Sequence, residues 1–382
     1  MRAVIIRTFG GPEVLEITEV PVPDPGPGQL RIRVTAAAVN PVDLHTRSGG
    51  LTAAGLLPAR DVIGIGWDVA GIVDAIGPAL LDPVSEIGAV GEIGAVGEGS
   101  RVGEAPAGGE APAGGEIPAG GEIPAGGKTW AGGETRTGGT GFAGDEPTIG
   151  GTGFAVGDEV IGLSDRLDVP LGTQAEYVVL DAAAVARAPR SVTAQQAATI
   201  PLNALTAAQS LDLLALEPGR SVLITGAAGA VGGFAVELAA ARGLRVVATA
   251  GAADEESVRS LGAEFFVPRG ARLGEAVRAL VPGGVDGAVD AAVLGAEALD
   301  AVRNRGAFSA VVGGAEPVGL RGIRVANTWI RADATQLADL VHLVDTGALT
   351  PRVADILPLD RVADAHKRVA EGGMRGRIVL VP

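Results

Sequence analysis

Short apolar strands alternate with a helix in the second half of the chain. Residues 220–225 (RSVLIT) form a β-branched run that is typical of a buried strand, and residues 244–250 (LRVVATA) form another. Between them, residues 233–242 (GFAVELAAAR) have the apolar spacing of a helix, which Gly243 would end. Strand, helix and strand in this order predict a right-handed βαβ unit of a parallel sheet.

A glycine-rich turn, residues 226–232 (GAAGAVG), joins the first strand to the helix. The first N–H groups of a helix lack partners within it, and the helix dipole favours negative charge there. Gly226 and Gly229 would let a diphosphate approach the main chain, and Gly232 would let the helix pack close to the strand. The spacing is G-x-x-G-x-x-G rather than G-x-G-x-x-G, but its place between strand and helix predicts a dinucleotide site. The predicted contacts in the turn are Gly226, Ala227, Gly229, Ala230, Val231 and Gly232.

Two further apolar runs, residues 286–293 and 306–312, predict more strands of the same sheet. Ligands of open α/β sheets collect at the carboxyl ends of the strands, which makes Val293 and Gly313 candidate cofactor contacts or else ordinary strand ends. Thr249 and Ala250, at the end of the second strand, join these candidates. That strand does not end in an acid, so a 2′-phosphate is not excluded. NADPH is the predicted cofactor, with NADH as the alternative.

Residues 81–153 differ in composition from the rest of the chain. They hold 23 of the 60 glycines and carry eleven acidic and three basic residues, and therefore more than half of the net charge of −15. Hexads such as EAPAGG and EIPAGG recur, and most combine a proline with two glycines, which disfavour helix and strand alike. We predict a disordered low-complexity insertion between strands at residues 68–77 and 154–163.

The composition argues against a metal site, a nucleic-acid partner and a membrane-spanning segment. The chain has no cysteine and only three widely separated histidines, so no metal site is predicted. Its acidic balance argues against a nucleic-acid partner. No apolar run reaches the length of a membrane span, and the N-terminus lacks the pattern of a signal peptide, so a cytoplasmic location is expected.

Several motifs, in this order, resemble the zinc-free quinone oxidoreductase branch of the medium-chain dehydrogenase/reductase superfamily. The resemblance covers roughly residues 1–80 and 154–382. It implies an α/β protein with a GroES-like β-barrel substrate domain (1–193, including the 81–153 insertion), a Rossmann doubly wound parallel sheet (194–324) and a return to the substrate domain (325–382). The motifs are AAAVNPVD (36–43), GIGWDVAGIV (64–73), VGDEVIGL (156–163), GTQAEYV (172–178), TIPLNALT (199–206), the glycine turn and GMRGRIVLVP (373–382).

The resemblance also implies site residues. Asn40 stands where zinc-containing relatives have a cysteine, and Trp67-Asp68 stands where they have His-Glu. Asn40 is therefore the expected catalytic residue, binding a substrate carbonyl oxygen, unless it only shapes a local turn. Trp67 would line the cleft or simply be buried. Thr206 would bind cofactor phosphate or ribose or cap a helix, and Arg375 would contact the cofactor or lie on the surface.

The expected function is zinc-independent, NADPH-dependent reduction of quinones or activated alkenes (enones, alkenals) by hydride transfer. Two alternatives remain: a nicotinamide-binding sensor or scaffold without turnover, and a reductase of enoyl thioesters. The resemblance further implies a homodimer.

Overall fold

The computed structural model describes residues 1–78, 153–167 and 169–382, which form a mixed α/β fold. The predicted disordered insertion lies, apart from Gly153, outside the described residues. In chain order the strands are β1 (Arg2–Ile6), β2 (Glu16–Glu19), β3 (Gln29–Val39), β4 (Ile63–Gly64), β5 (Asp68–Ile76), β6 (Glu159–Leu163), β7 (Tyr177–Asp181), β8 (Val185–Arg187), β9 (Ser221–Thr225), β10 (Arg245–Ala250), β11 (Phe265–Pro268), β12 (Val285–Asp290), β13 (Val302–Ala310), β14 (Arg324–Asn327), β15 (Val353–Pro358) and β16 (Arg377–Val381).

The helices connect these strands. They are α1 (Pro41–Ser48), α2 (Gly50–Ala53), α3 (Ala194–Ala197), α4 (Pro201–Leu214), α5 (Ala230–Ala241), α6 (Glu255–Ser260), α7 (Leu273–Leu280), α8 (Ala296–Asp300), α9 (Ala334–Asp345) and α10 (Val362–Glu371). Single 3₁₀ turns lie at Pro12–Val14, Ala182–Ala184, Ala252–Asp254 and Leu359–Arg361.

The N-terminal and C-terminal segments together build the GroES-like domain. One sheet has the strand order β15-β16-β3-β5-β6-β8, with β7 also paired to β3, and a smaller sheet has the order β2-β1-β4. The two strands predicted on either side of the insertion, β5 and β6, pair antiparallel with Asp68 opposite Leu163. The first strand prediction is confirmed, and the second is confirmed for residues 159–163 only, since residues 154–158 form no strand.

The predicted Rossmann sheet is confirmed as six parallel strands among the described residues, in the order β11-β10-β9-β12-β13-β14. Helices α4, α5 and α9 pack in one core with Phe234 and Leu205, and α7 and α8 pack in another with Phe308 and Val277. Strands buried on both faces explain the unbroken apolar runs in the sequence. All carboxyl ends lie along one edge, which is where the cofactor residues were expected.

Several predicted boundaries were wrong. The helix after the glycine turn begins at Ala230 rather than at residue 233, because the last turn residues already form its first turn. Strand β12 ends at Asp290 and not at residue 293, and β13 spans Val302–Ala310 rather than residues 306–312. Apolar loop residues extend the hydrophobic pattern past the strands, so hydrophobicity alone cannot mark where a strand ends.

The predicted return to the substrate domain at residue 325 is too early. Strand β14 pairs in parallel with β13, with Ala310 opposite Asn327, and is therefore the sixth strand of the Rossmann sheet. The chain rejoins the GroES-like domain only with β15 and β16, where Ile378 lies opposite Val39 of β3. A four-residue edge strand carries too little periodicity to reveal its sheet.

Candidate functional site

The glycine turn has the close packing that the sequence predicts. A Cβ atom on Gly232 would lie 2.1 Å from the carbonyl oxygen of Gly226 and 3.0 Å from the Cα of Ala227. Gly226 has a left-handed φ of +62°, and the N–H of Ala227 bonds to the carbonyl of Thr249 across to the neighbouring strand. Gly229 caps α5, so the free N–H groups of the first helical turn face the carboxyl edge of the sheet. The residues present fit the diphosphate of a dinucleotide.

The loop after β12 is held by two buried side chains. Thr225 Oγ1 donates to Asp290 Oδ1 at 2.6 Å and accepts from the N–H of Ala292 at 2.9 Å. Asp290 Oδ2 accepts from the N–H of Gly295 at 2.7 Å. The loop between them places Val293 at a left-handed φ of +57° with its side chain half exposed. A β-branched residue rarely adopts this conformation, so the main chain at Val293 is strained and the hydrogen bonds of the loop must maintain it. Val293 thus stays a candidate contact for the predicted cofactor.

The other predicted cofactor residues fall into two groups. Thr249 and Ala250 are buried at the end of β10, and Gly313 is exposed just after β13, where a Cβ would lie 2.8 Å from Trp329. Arg375 pairs with Asp254, which follows β10, and this brings the C-terminal segment to the expected ribose end. These residues share one edge with the glycine turn, but their contact with a cofactor stays a prediction.

Thr206 does not cap a helix, which corrects one of its two expected roles. It is the sixth residue of α4, and its Oγ1 donates to the carbonyl of Leu202 one turn earlier at 2.6 Å. The side chain is almost fully buried. A role toward the cofactor stays a prediction.

A buried polar cluster surrounds Asn40. Its Nδ2 donates to Asp68 Oδ2 at 2.7 Å, and its Oδ1 accepts from Asn203 Nδ2 at 3.2 Å and from Arg377 Nε at 2.8 Å. Arg377 Nε also lies 3.0 Å from Asn203 Oδ1. The main-chain N–H of Asn40 donates to Asp43 Oδ2 at 2.7 Å, which fixes the start of α1. We call these five residues the Asn40 cluster.

The cluster changes what Asn40 can do. Its side chain has no solvent exposure, and both its amide oxygen and its amide nitrogen are already bonded within the protein. This geometry therefore does not offer the expected direct bond from Asn40 to a substrate carbonyl, and a role of Asn40 in the reaction stays a prediction. Trp67, the other expected substrate contact, is half-buried against the core beside Asp68.

Sequence analysis assigned no site role to Arg377, which lies in the C-terminal motif of residues 373–382. Burial lowers the pKa of its guanidinium to about 10, while Asp68 and Asp43 oppose that shift. Burial raises the pKa of Asp43 to about 8 and that of Asp68 to about 7, despite bonds from main-chain N–H groups and the charge of Arg377. Asn203 was missed because a polar residue inside an apolar helix gives no local signal.

These two carboxyl groups predict how stability depends on pH. An unfolded aspartate releases its proton near pH 4, whereas Asp68 holds it to about pH 7 and Asp43 to about pH 8 in the folded state. Their contribution is fully present below pH 4 and is lost as pH rises through those values. Urea unfolding from pH 4 to pH 9 should therefore show a falling stability that is less steep in Asp68→Asn.

The matched control is Asp24→Asn, whose carboxylate is exposed and pairs with Arg31. It should leave the slope of stability against pH unchanged. An equal slope in Asp68→Asn and in the unmodified protein would contradict the raised pKa of Asp68.

A partly buried arginine connects the Asn40 cluster to the glycine turn. The guanidinium of Arg352 lies against Gly233 in α5, 5.3 Å from the ring of Phe234 and 3.8 Å from Glu237. Its main-chain carbonyl accepts the N–H of Arg377 at 3.0 Å. Arg352 therefore contacts both the helix that follows the glycine turn and the start of the strand that carries Arg377.

Zinc does not fit the Asn40 cluster. The cluster offers amides, carboxyl groups and a guanidinium, but no thiolate and no imidazole. The guanidinium bonded to Asn40 Oδ1 places a fixed positive charge where a cation would have to bind. In the part of the chain that the structure describes, no group of three or more His, Cys, Asp or Glu side chains could hold a metal ion.

Two family models match the chain. Residues 26–112 match the alcohol dehydrogenase GroES-like domain, and residues 261–380 match a model described as zinc-binding dehydrogenase. Together they cover more than half of the chain. No helix among the described residues is long and apolar enough to cross a membrane. The cytoplasmic location stays a prediction.

Curated relatives match at low identity. The chain is 28% identical over 233 residues to 2-methylene-furan-3-one reductase of Solanum lycopersicum, covering 59% of this chain and 58% of the relative. It is 29% identical over 215 residues to the chloroplastic NADPH-dependent alkenal/one oxidoreductase of Arabidopsis thaliana, covering 55% and 53%. It is 31% identical over 240 residues to the spectinabilin polyketide synthase system protein NorB of Streptomyces orinoci, covering 58% and 11%. The matches to the first two thus span little more than half of each relative.

Solved structures share the whole fold. An NAD-dependent alcohol dehydrogenase superposes with a TM-score of 0.73 at 27% identity, covering both chains completely. The quinone oxidoreductase of Coxiella burnetii superposes with a TM-score of 0.72 at 23% identity, covering 100% of this chain and 99% of the other. With its GroES-like domain, its parallel Rossmann sheet and its glycine turn, this chain belongs to the medium-chain dehydrogenase/reductase superfamily of oxidoreductases and has the fold of its quinone oxidoreductase-type members.

Proposed function

We propose that this protein is a zinc-independent reductase that transfers hydride from NADPH to a quinone or to an activated alkene such as an enone or alkenal. The observation that carries this proposal is the Asn40 cluster, in which Arg377 bonds to Asn40 and leaves no donor set for zinc. Hydride transfer to an electrophilic carbon needs positioning more than a metal. The names of the tomato and Arabidopsis relatives support the same substrate class.

The residues of the chain would bind and orient rather than react. The glycine turn would hold the cofactor diphosphate, and the bound cofactor would supply the hydride. Arg377, a cation held by Asn40 and Asn203, would stabilise negative charge that develops on a substrate oxygen. Asp43 and Asp68 are fully buried and bonded within the protein, so neither would donate a proton to the substrate. We assign to solvent the proton that completes the reduction after hydride transfer.

Arg375 and Asp254 would set the choice between NADPH and NADH. They form an ion pair just beyond the end of β10, where the 2′ position of the ribose would lie. Arg375→Gln should weaken NADPH binding by about tenfold and NADH binding much less, because only NADPH carries the 2′-phosphate. Fluorescence titration of both cofactors measures this difference.

Asp254→Asn is the matched variant for that prediction. It removes the negative charge beside the phosphate and should strengthen NADPH binding while changing NADH binding little. Equal losses for both cofactors in Arg375→Gln would show that Arg375 does not select the phosphate.

A steady-state assay tests the function itself. NADPH oxidation by the full chain is measured with 1,2-naphthoquinone, with an α,β-unsaturated ketone and with a crotonyl thioester. Turnover of the first two supports the proposal. Tight NADPH binding with no turnover of any of the three would favour a sensor or scaffold and contradict the reductase.

Enoyl-thioester reduction is the second candidate, favoured by the similarity to a polyketide synthase protein. The same hydride chemistry would act on an acyl chain. A kcat/KM for the crotonyl thioester well above that for the quinone and the ketone would establish it in place of the first.

The homodimer implied by the family resemblance also remains a proposal. Strand β14 is one of the two outer strands of the described Rossmann sheet, and Val318, Leu320 and Trp329 expose large apolar side chains close to it in sequence. Unpaired strand edges and exposed apolar side chains favour association. Sedimentation of the full chain would show a single monomeric species if this proposal is wrong.

A further inference from the structure

The edge of the Rossmann sheet opposite the cofactor edge carries a cavity that hydride transfer does not use. Four parallel strands start there, and the cavity of about 500 Å³ is lined by Ser221, Arg245, Asp286, Arg303 and the 281–284 loop. A smaller cavity of about 230 Å³ shares Arg220, Asp286 and Arg303 with it. The two form one groove at the amino ends of the strands, which we call the arginine groove.

The arginine groove is basic in an acidic protein. It is lined by five arginines: Arg220, Arg245, Arg303, Arg305 and Arg324. The acidic side chains that line or pair with this set are Asp286, Glu217 and Glu264, which leaves two positive charges in excess. The whole chain carries a net charge of −15, so this local excess has the opposite sign.

Asp286 holds the centre of the groove in place. Its Oδ2 accepts from both the N–H and the hydroxyl of Ser221 at 2.8 Å, while its Oδ1 lies 2.8 Å from Arg303 and 3.5 Å from Arg220. These bonds and charges keep the pKa of Asp286 below its usual range, although burial opposes them. One carboxylate therefore orients two guanidinium groups without neutralising both.

The remaining arginines are positioned differently. Arg324 donates to the carbonyl of Leu214 at the end of α4, as cations at helix C-termini commonly do. Arg245 is neutralised by Glu264 in a two-pronged pair. No described residue forms an ion pair with Arg305, which adopts a left-handed φ of +61° inside β13. The interaction with a helix C-terminus accounts for Arg324 but not for Arg305, which is strained and has no acidic partner among the described residues.

The groove's size and lining indicate the ligand. Guanidinium groups bind phosphate oxygens through paired N–H donors, and Arg220, Arg303 and Arg305 retain donors that Asp286 does not use. A volume of about 500 Å³ accommodates several phosphate groups rather than one. From this geometry we propose that the arginine groove binds a small polyphosphate anion, separately from the cofactor.

Calorimetric titration of the full chain with inorganic tripolyphosphate tests this site. The double variant Arg220→Gln/Arg303→Gln should bind it at least about tenfold more weakly than the unmodified protein. The matched control, Arg7→Gln/Arg361→Gln, removes two exposed arginines that each form one ion pair elsewhere, and it should bind like the unmodified protein. Equal weakening in both double variants would mean that only the net charge of the protein matters, and it would overturn the proposal. Absence of binding to the unmodified protein would also overturn it.

Hydrogen exchange locates the bound anion independently of any activity. Tripolyphosphate should slow exchange in the 281–284 loop and at the start of β13. Slowing confined to the glycine turn would mean that the anion occupies only the dinucleotide site, and would overturn the proposal. The outcome does not depend on which substrate is reduced.

Discussion

Replacing Gly232 by alanine is expected to lower the free energy of unfolding by about 3 kcal/mol and to abolish most cofactor affinity. The new Cβ would lie 2.1 Å from the oxygen and 2.6 Å from the carbon of the Gly226 carbonyl. Both are main-chain atoms that no side-chain rotation can move away. Helix α5 would have to shift from β9, and its first N–H groups would leave the positions that suit a diphosphate.

Gly229→Ala separates folding from binding. At Gly229 the nearest atom to an added Cβ is the Gly226 oxygen at 3.2 Å, and φ is an ordinary −78°. This variant should unfold within about 1 kcal/mol of the unmodified protein yet bind NADPH at least about tenfold more weakly, because the methyl group would obstruct the diphosphate. Urea unfolding without cofactor and NADPH fluorescence titration measure the two effects. Unchanged affinity in Gly229→Ala would argue against a diphosphate at this turn.

Arg377→Met is expected to have the second large effect, and that effect should grow with pH. At pH 9 both Asp43 and Asp68 are ionised, and without Arg377 these two buried carboxylates lack the cation beside them. Arg377 acts on both carboxylates through its charge rather than in a direct ion pair, and its Nε bonds to Asn40 and Asn203. Removing such a charged donor from a buried polar site costs about 1–3 kcal/mol of unfolding free energy. At pH 5 both carboxyl groups are protonated, so the loss should be much smaller.

Three further measurements separate the role of Arg377 from simple destabilisation. Arg377→Lys keeps the charge and should restore much of the stability at pH 9, but it cannot reproduce the bonds of Arg377 Nε to Asn40 and Asn203, so kcat should stay low. Arg375→Met removes an exposed guanidinium two residues earlier and should change stability by less than about 1 kcal/mol. A loss in Arg377→Met that is equal at pH 5 and pH 9 would contradict the electrostatic account.

The local features of the nucleotide-binding unit could be predicted from sequence because their causes are local. A β-branched run, three glycines and an apolar helix occupy about twenty consecutive residues, so the strand, the turn and the helix can each be recognised from the sequence next to them. The strand boundaries were less predictable, as Val293 illustrates. Its side chain continues the apolar run of β12, but the bonds of Asp290 and Thr225 turn the main chain away from the sheet.

The sequence by itself determined the parallel sheet, its glycine turn, the strands around the insertion and the absence of cysteine ligands. Only the tertiary structure decided that Asn40 is inaccessible, that Arg377 is half-buried beside it and that β14 completes the sheet. Residues 40, 68, 203 and 377 are far apart along the chain. Their hydrogen bonds, and the shifted pKa values of Asp68 and Arg377, arise only once packing has brought them together and excluded water. Hydrophobic periodicity describes one element at a time, whereas a buried polar cluster is a property of several elements together.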